Sequence, residues 1–318
     1  MNDNSGQRVP LLFAKEGGEA TFLGLPRCEN LDALDADVAI IGVPCATPYP
    51  HLGAYSRNAP AAIRSAVAGY AAALGHVDFD FGEPLLGDGR VRVVDCGDLD
   101  CDEADAEGNR QKIEQAVRTI TGRGAVPIVI GGDDSVPVPV FRALERDRPF
   151  TILQIDAHID WREEVGGERF GLSSTMRRAS ELGSVERIIQ VGQRAIGSAR
   201  PDDLRDGREW GVTFVSARSV YDHGVGPVLE AIPQGSDVYV TLDCDALDPA
   251  VMPGVLARAP GGLDHWQTLD LIHGAAKRGR LIGFNIVELV PEADIDSMGA
   301  LVAARIVANV IGRLCRQA

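Results

Sequence analysis

Short apolar runs alternate with segments of helical spacing along most of the chain. The runs are rich in Val, Ile and Leu and end near Gly, Pro or Asp, a pattern typical of strands buried on both faces of a sheet. The predicted strands are residues 38–43, 92–94, 126–130, 150–155, 187–191, 213–215, 237–242 and 281–286. Segments between them place apolar residues three or four positions apart, which indicates helices. The predicted helices are residues 59–70, 109–121, 136–145, 266–277 and 297–314.

This alternation of strands and helices predicts one α/β domain over residues 1–318, built on a mostly parallel sheet. No repeat, low-complexity tract or linker divides the sequence. Residues 1–36 carry few periodic signals and are predicted to form an N-terminal segment that wraps the surface.

Acidic residues follow two of the predicted strands directly. After the run at 150–155, residues Asp156, His158 and Asp160 are spaced by two, so an extended chain would point all three side chains to one face. The same period places Asp243 and Asp245 on one face after the run at 237–242. Five potential ligands then come from two strand ends, enough for two metal ions bridged by carboxylates. For either motif alone, the alternative is a solvated acidic turn.

The composition of the chain limits the classes of molecule that it is expected to bind. The chain of 318 residues has a net charge of -15 and 45% hydrophobic residues. Without a basic cluster, this charge argues against nucleic acid or an anionic membrane and favours a small cationic substrate. The six cysteines are scattered and are interpreted as reduced thiols of a cytoplasmic protein. No apolar run approaches the length of a membrane span, and no secretion signal is evident.

Four stretches match the motifs of one known family in order and spacing. They are G-G-D-D-S (131–135), D-A-H-I-D (156–160), D-C-D-A-L-D-P (243–249) and V-E-L-V-P (287–291). With them, the chain resembles the ureohydrolase family of arginases and agmatinases from about residue 38 to its end. The resemblance implies a three-layer α/β/α fold with an eight-stranded, mostly parallel sheet. It also implies trimers or hexamers and hydrolysis of a guanidino C–N bond with two divalent ions, Mn²⁺ or Ni²⁺.

The same resemblance assigns roles to individual residues. The implied metal ligands are Asp134, Asp156, His158, Asp160, Asp243 and Asp245. Asp156 and Asp243 would bridge the ions, and the other ligands would serve one ion each. Glu288 would hold the guanidinium of the substrate. Glu288 and Asp160 are the candidate catalytic residues.

The first departure from the family is at Asp134, where the motif G-G-D-H-S has a histidine ligand. The ligand set becomes five Asp and one His, and one ion would face carboxylates only. Such a set favours a harder ion or weaker binding. Asp134 could be an altered metal ligand or a ligand position that has lost its function, and both interpretations remain.

The second departure is the loss of a histidine that would transfer a proton. Ser173 and Ser174 occupy the segment in which the family has a His-Gly pair, and they are candidate substrate-pocket residues. His51 or His223 could replace the lost group, although a lone histidine on a loop is more often a surface residue. An acid is still required to protonate the leaving amine.

The third departure is the substrate loop, which reads V-L-A-R-A at 255–259 where the family has T-G-T-P-E. Arg258 is therefore a candidate pocket residue that would imitate a cationic substrate or neutralise carboxylates. The alternative is that it faces solvent or a neighbouring subunit.

The loop G-V-P-C-A-T-P-Y-P, with A-P-A-A-I-R at 59–64, resembles the family branch that handles alkylated guanidines and biguanides such as metformin. In that branch, an active and a degraded subunit form one hetero-oligomer. The three departures favour a catalytically impaired subunit that supports an active paralogue. The alternative is a self-sufficient amidinohydrolase with two metal ions and an altered metal preference.

Overall fold

The central feature is one eight-stranded sheet. The computed structural model describes residues 21–46, 49–145 and 148–317. The described strands are β1 (Val38–Gly42), β2 (Val77–Asp78), β3 (Glu83–Pro84), β4 (Val93–Asp98), β5 (Val126–Ile130), β6 (Phe150–Ile155), β7 (Val185–Val191), β8 (Thr213–Val215), β9 (Asp237–Asp243) and β10 (Arg280–Val287). The order in the sheet is β4-β1-β5-β10-β9-β6-β7-β8, and all of its described pairings are parallel. Among the described strands, only those of the short antiparallel pair, β2 and β3, were not predicted from the sequence.

Helices connect the strands of the described chain. They are α1 (Ala59–Val67), α2 (Ala106–Gly122), α3 (Pro137–Ala143), α4 (Thr175–Ala179), α5 (Pro201–Trp210), α6 (Ala217–His223), α7 (Gly226–Glu230), α8 (His265–Arg278) and α9 (Met298–Leu314). The predicted helix at 59–70 is divided, because α1 is followed by a 3₁₀ segment at Ala68–Ala73. In the described part of the chain, none of these helices combines the length and apolarity that crossing a membrane requires.

Alternate strand residues pack into two separate hydrophobic clusters. Ile40 and Leu153 belong to the cluster that includes side chains of α1, α8 and α9. Their neighbours Ile41 and Ile152 belong to the cluster that includes side chains of α2, α3 and α4. Because successive strand residues point to opposite faces, the sheet is covered on both sides. The three-layer α/β/α architecture is confirmed.

Part of the N-terminal segment contributes to the core. Residues 1–20 of the predicted surface segment lie outside the described residues. Phe22 is fully buried, and its backbone N–H donates to the Asp95 carboxylate at 2.7 Å. The same carboxylate accepts two hydrogen bonds from Arg64, at 2.7 and 2.9 Å. Residues 21–36 therefore do more than wrap the surface, because the Phe22 side chain is buried and its backbone N–H binds a carboxylate of β4. The prediction of one domain stays a prediction.

Candidate metal centre and its cleft

The carboxyl ends of four neighbouring strands bring acidic side chains to one edge of the sheet. β5, β10, β9 and β6 are adjacent in that order and parallel. Asp156 directly follows β6, Asp243 ends β9, and Glu288 directly follows β10. Asp134 lies in the turn between β5 and α3. All four side chains are buried. Open α/β sheets bind ligands at this edge, and the sequence motifs meet there.

The stretch from Asp156 to Asp160 does not continue β6 as an extended strand. The strand ends at Ile155, and Asp160 adopts a left-handed backbone with φ of 43°. The side-chain amide of Gln154 donates to Asp156 Oδ2 at 2.7 Å and to Asp160 Oδ2 at 2.8 Å. Asp160 therefore returns beside Asp156 through a strained turn and not through the expected alternation. Strain of this kind in a non-glycine residue is concentrated at functional sites.

Asp156, His158 and Asp245 form the first group that could hold a cation. Each offers one ligand atom, and the three atoms lie within 4.8 Å of one another. His158 Nδ1 is 3.1 Å from Asp245 Oδ2 and 3.4 Å from Asp156 Oδ1. The backbone N–H of Asp245 donates to Asp243 Oδ1 at 2.7 Å, which ties this group to the end of β9.

Asp134, Asp156 and Asp243 form a second group, again with ligand atoms within 4.8 Å of one another. Asp156 thus belongs to both groups. Neither carboxylate oxygen of Asp134 accepts a hydrogen bond from a described residue, although the side chain is buried. Because a buried carboxylate without partners is costly, a cation in this position would offset its desolvation. The orphaned oxygens are the observation that fits a second ion best.

Burial and mutual repulsion dominate the electrostatics of these carboxylates. Burial raises the pKa of Asp134 well above its usual range, and the charges of Asp160 and Asp156 raise it further. Burial likewise raises the pKa of Asp243, with Asp245 adding to the effect. The pKa of Asp160 is raised by burial and then by Asp156. Without a cation, some of these groups must hold protons, which a metal would displace.

The pKa of His158 is also raised, but by its acidic neighbours and not by burial. Burial by itself lowers the pKa of the imidazole, but hydrogen bonds and charges from Asp156 and Asp245 outweigh this and raise the pKa to about 12. A metal bound through His158 would therefore compete with a tightly held proton.

The two groups differ in chemistry. The first contains an imidazole and two carboxylates, a mixture suited to transition ions such as Mn²⁺ or Ni²⁺. The second contains only carboxylates from described residues, which suits harder ions. The residues present therefore fit two divalent ions, with unequal preference for a transition metal.

Gln154 is a supporting residue that sequence reasoning did not assign. Its partner Gln190 lies opposite it in the register of β6 and β7. The Gln190 amide donates to the Gln154 side-chain oxygen and to the Ile159 carbonyl, the latter at 2.8 Å. This fixes Gln154 with its N–H groups toward Asp156 and Asp160. The available signal was the period of two, which places Gln154 on the same strand face as Asp156.

Glu288 is held at the cleft by three contacts. Its side-chain Oε1 accepts the Asp134 backbone N–H at 2.8 Å. The Tyr55 hydroxyl lies 2.8 Å from Oε1 and 2.9 Å from Oε2. The Glu288 backbone is left-handed, with φ of 67°. Burial raises the pKa of Glu288 well above its usual range, and Asp133 adds to this. Tyr55, which lies between β1 and α1, was not assigned from the sequence.

Residues of both groups of candidate metal ligands line a cleft of about 300 Å³. The predicted site residues that line it are Asp134, His158, Asp160, Ser173, Asp243, Asp245 and Glu288. Tyr55 and Arg162 also line it, as do the exposed side chains of Leu52 and Leu256. An acidic floor is thus combined with partly apolar walls.

Four residues considered from the sequence lie elsewhere. Arg258 is exposed, and its guanidinium donates to the Pro253 and Ala293 carbonyls at 2.8 and 2.7 Å. Its donors therefore stabilise the loop, and Leu256 and Ala257 of the same loop line the cleft instead.

The remaining three residues do not line the described cleft either. Ser174 is fully buried. His51 is exposed and stacks on Tyr49 with 5.9 Å between ring centroids. His223 is at the end of α6, where its Nδ1 is 3.1 Å from the Ser219 carbonyl.

Comparison with known proteins agrees with this fold. The fold and the paired ligand groups define an α/β protein with a carboxylate-rich candidate metal centre. The chain belongs to the arginase family, whose model matches residues 36–312. It is 30% identical to a guanidinobutyrase of Pseudomonas aeruginosa over 305 residues, covering 93% of this chain and 92% of that protein.

Two further comparisons support the family. A guanidinopropionase of Pseudomonas aeruginosa is 33% identical over 236 residues, covering 72% of this chain and 73% of that protein. The structure of proclavaminate amidino hydrolase from Streptomyces clavuligerus superposes with a TM-score of 0.84 at 27% identity. The superposition covers 95% of this chain and 99% of that one.

Proposed function

We propose that the chain hydrolyses a C–N bond of a small cationic guanidino compound with the help of two divalent metal ions. One observation carries this proposal: two groups of ligand atoms share the buried Asp156, and the other members of both groups line a cleft together with Glu288. The named relatives act on guanidino compounds, and the negative charge of the chain suits a cation.

The chain's residues divide the work between metal and substrate. Asp156, His158 and Asp245 would hold one ion, while Asp134, Asp156 and Asp243 would hold the other. Asp160 would support the second position from beside Asp156. Bound divalent ions would supply Lewis acidity and a water-derived nucleophile near neutral pH.

Glu288 would orient the substrate. A guanidinium brought into the cleft would stabilise the ionised form of this buried carboxylate, which is otherwise disfavoured. The interaction would be charge-assisted and would hold the guanidinium beside the two groups of metal ligands. The attacked carbon would then lie within reach of the nucleophile.

Asp160 is the residue that we assign to proton transfer. It lines the cleft, and Gln154 donates only to its Oδ2. Its other oxygen could accept a proton from the attacking water and pass it to the leaving amine. This role replaces the histidine that the family motif would supply.

A second candidate function is that of an impaired subunit that supports an active paralogue in a trimer or hexamer. Two observations favour it. Asp134 stands where the family motif has a histidine, and His158 is the single histidine among the described residues of the cleft lining. The geometry gives more support to the first function, because Asp134 still faces the other ligands of its group with both oxygens available.

The two functions are separated by assaying the purified chain alone, a paralogue with G-G-D-H-S alone, and the co-purified pair. The substrates are agmatine, guanidinobutyrate, a dialkylguanidine and a biguanide. Urea and amine release by the metal-loaded chain alone supports the first function. Release that requires the paralogue, and that survives Glu288→Gln in this chain, supports the second.

A further inference from the structure

The hydroxyl of Tyr55 occupies a particular edge of the Glu288 carboxylate. It is 2.8 Å from one oxygen and 2.9 Å from the other. A group nearly equidistant from both oxygens lies at the middle of the open edge of the carboxylate. This edge is the one on which a planar guanidinium places two parallel N–H donors.

The remaining acceptor capacity of Glu288 is small. A carboxylate has about four lone-pair positions. Oε1 receives the Asp134 backbone N–H at 2.8 Å in addition to its contact with Tyr55. Among the described residues, Tyr55 alone donates to Oε2. One lone pair of Oε2 is therefore left for a further N–H group.

We propose that Tyr55 is a specificity-determining residue whose hydroxyl withholds the two-point edge of Glu288, so that a guanidinium contacts this carboxylate through one N–H only. The inference rests on the proposed role of Glu288 as the guanidinium acceptor. It defines the ligand class more narrowly: cations that depend on a two-point fork with a carboxylate lose one charge-assisted hydrogen bond in this cleft.

The surroundings keep Tyr55 in the donor form. Burial raises the pKa of its phenol well above the usual range, and the charge of Glu288 raises it further. The hydroxyl therefore stays protonated and can donate to the carboxylate at any physiological pH. On the other side of the contact, the Glu288 backbone N–H donates to the Gly132 carbonyl at 2.9 Å, which limits movement of the carboxylate. The carboxylate side of the contact is thus held in place.

Tyr55→Phe tests the inference, because it removes only the oxygen. The probes are butylguanidinium, which offers a planar fork, and butylammonium, which does not. Dissociation constants are measured by calorimetry on the metal-loaded full chain. We expect Tyr55→Phe to bind butylguanidinium about tenfold more tightly, by the one charge-assisted hydrogen bond gained. We expect its affinity for butylammonium to be unchanged.

Tyr221→Phe is the matched control, since Tyr221 is an exposed tyrosine on α6 that does not line the cleft. It should leave both dissociation constants unchanged. Unchanged or weaker binding of butylguanidinium to Tyr55→Phe would overturn the inference. The first result would mean that the hydroxyl moves aside freely, and the second that it orients Glu288 for the ligand.

Glu288→Gln separates this inference from the proposed function. If Glu288→Gln weakens butylguanidinium binding while Tyr55→Phe does not strengthen it, the function stands and the role of Tyr55 fails. If Glu288→Gln leaves the dissociation constant of butylguanidinium unchanged in both the wild-type and the Tyr55→Phe backgrounds, Glu288 is not the guanidinium acceptor. Both the proposed role of Glu288 and the inference about Tyr55 are then refuted. Tyr55→Leu gives a second variant in case ring packing alone alters the loop, and it should also strengthen butylguanidinium binding.

Discussion

Asp134→Asn should stabilise the metal-free protein and weaken its binding of metal. The carboxylate is buried, neither oxygen has a described hydrogen-bond partner, and ligand atoms of Asp156 and Asp243 lie within 4.8 Å. An asparagine of the same shape removes one charge, and its amide can donate to these neighbouring carboxylates. The Asp134 carboxylate thus lowers the stability of the metal-free protein but is required for binding the metal ion.

The size of the effect follows from the desolvation of one buried group. An unsatisfied buried polar group costs about 1–3 kcal/mol. With an unfolding entropy near 2 cal/mol/K per residue, this amount corresponds to a rise in Tm of roughly 2–4 °C for a chain of this length. In excess Mn²⁺ the order should reverse, since the wild type gains about 4.1 kcal/mol when metal is at roughly 1,000 times its Kd, which exceeds the gain of the variant.

The effect should depend on pH with a definite sign. Because the pKa of Asp134 is raised in the folded protein, its ionisation opposes folding as the pH rises. The gain from Asp134→Asn should therefore be absent below the ordinary carboxyl pKa of about 3.9. It should then grow as the pH rises toward the raised pKa of the folded state.

The assay is thermal unfolding with chelator and with excess Mn²⁺ between pH 4 and 8, with metal content measured in parallel. Asp270→Asn is the control, because Asp270 is an exposed residue on α8 and the change in net charge is the same. It should alter the free energy of unfolding by less than about 0.5 kcal/mol. The reasoning is refuted if Asp134→Asn lowers the Tm of the chelated protein at pH 7, or if it binds as much metal as the wild type.

Further predictions concern the same edge of the sheet. Asp134→His should bring Mn²⁺ or Ni²⁺ closer to two equivalents per chain, measured by elemental analysis, because imidazole suits these ions; unchanged stoichiometry would count against unequal sites. Gln154→Leu should weaken metal binding about 10- to 100-fold in a chelator competition, since it removes the donor that orients Asp156 and Asp160. Metal affinity should fall at least about tenfold per pH unit on acidification, since each ion at His158 displaces a proton held with a pKa of about 12; a flat pH profile would exclude His158 as a ligand. Arg258→Ala should lower the Tm while leaving the KM for guanidines unchanged, because Arg258 contacts two loop carbonyls outside the cleft.

Much of the fold could be predicted because parallel strands covered on both faces are continuous apolar runs. The strands at 126–130, 150–155 and 213–215 have the predicted bounds. The short pair β2 and β3 was missed, since two-residue strands leave no periodic signal. The burial of Phe22 was also missed, because a single apolar residue in a polar segment does not show where it packs.

The candidate site was predictable to the extent that its residues follow strand ends. Asp156 and Asp243 meet because β6 and β9 are neighbours in one parallel sheet. The left-handed turn at Asp160 could not be predicted, since the period of two assumes an extended chain. The contact of Tyr55 with Glu288 spans 233 residues and is set by tertiary packing. The carbonyl partners of Arg258 likewise depend on the loop conformation and not on the motif.

Turnover by the purified chain alone, after loading with Mn²⁺ or Ni²⁺, tests the central claim most directly. Urea and amine release are followed over a panel of guanidino acids, agmatine, alkylguanidines and biguanides. The claim predicts turnover of at least one guanidine at about 1 s⁻¹ or more, abolished by chelator and by Glu288→Gln. Absence of turnover from a chain that holds two metal ions, with activity appearing only when a paralogue is added, would contradict it.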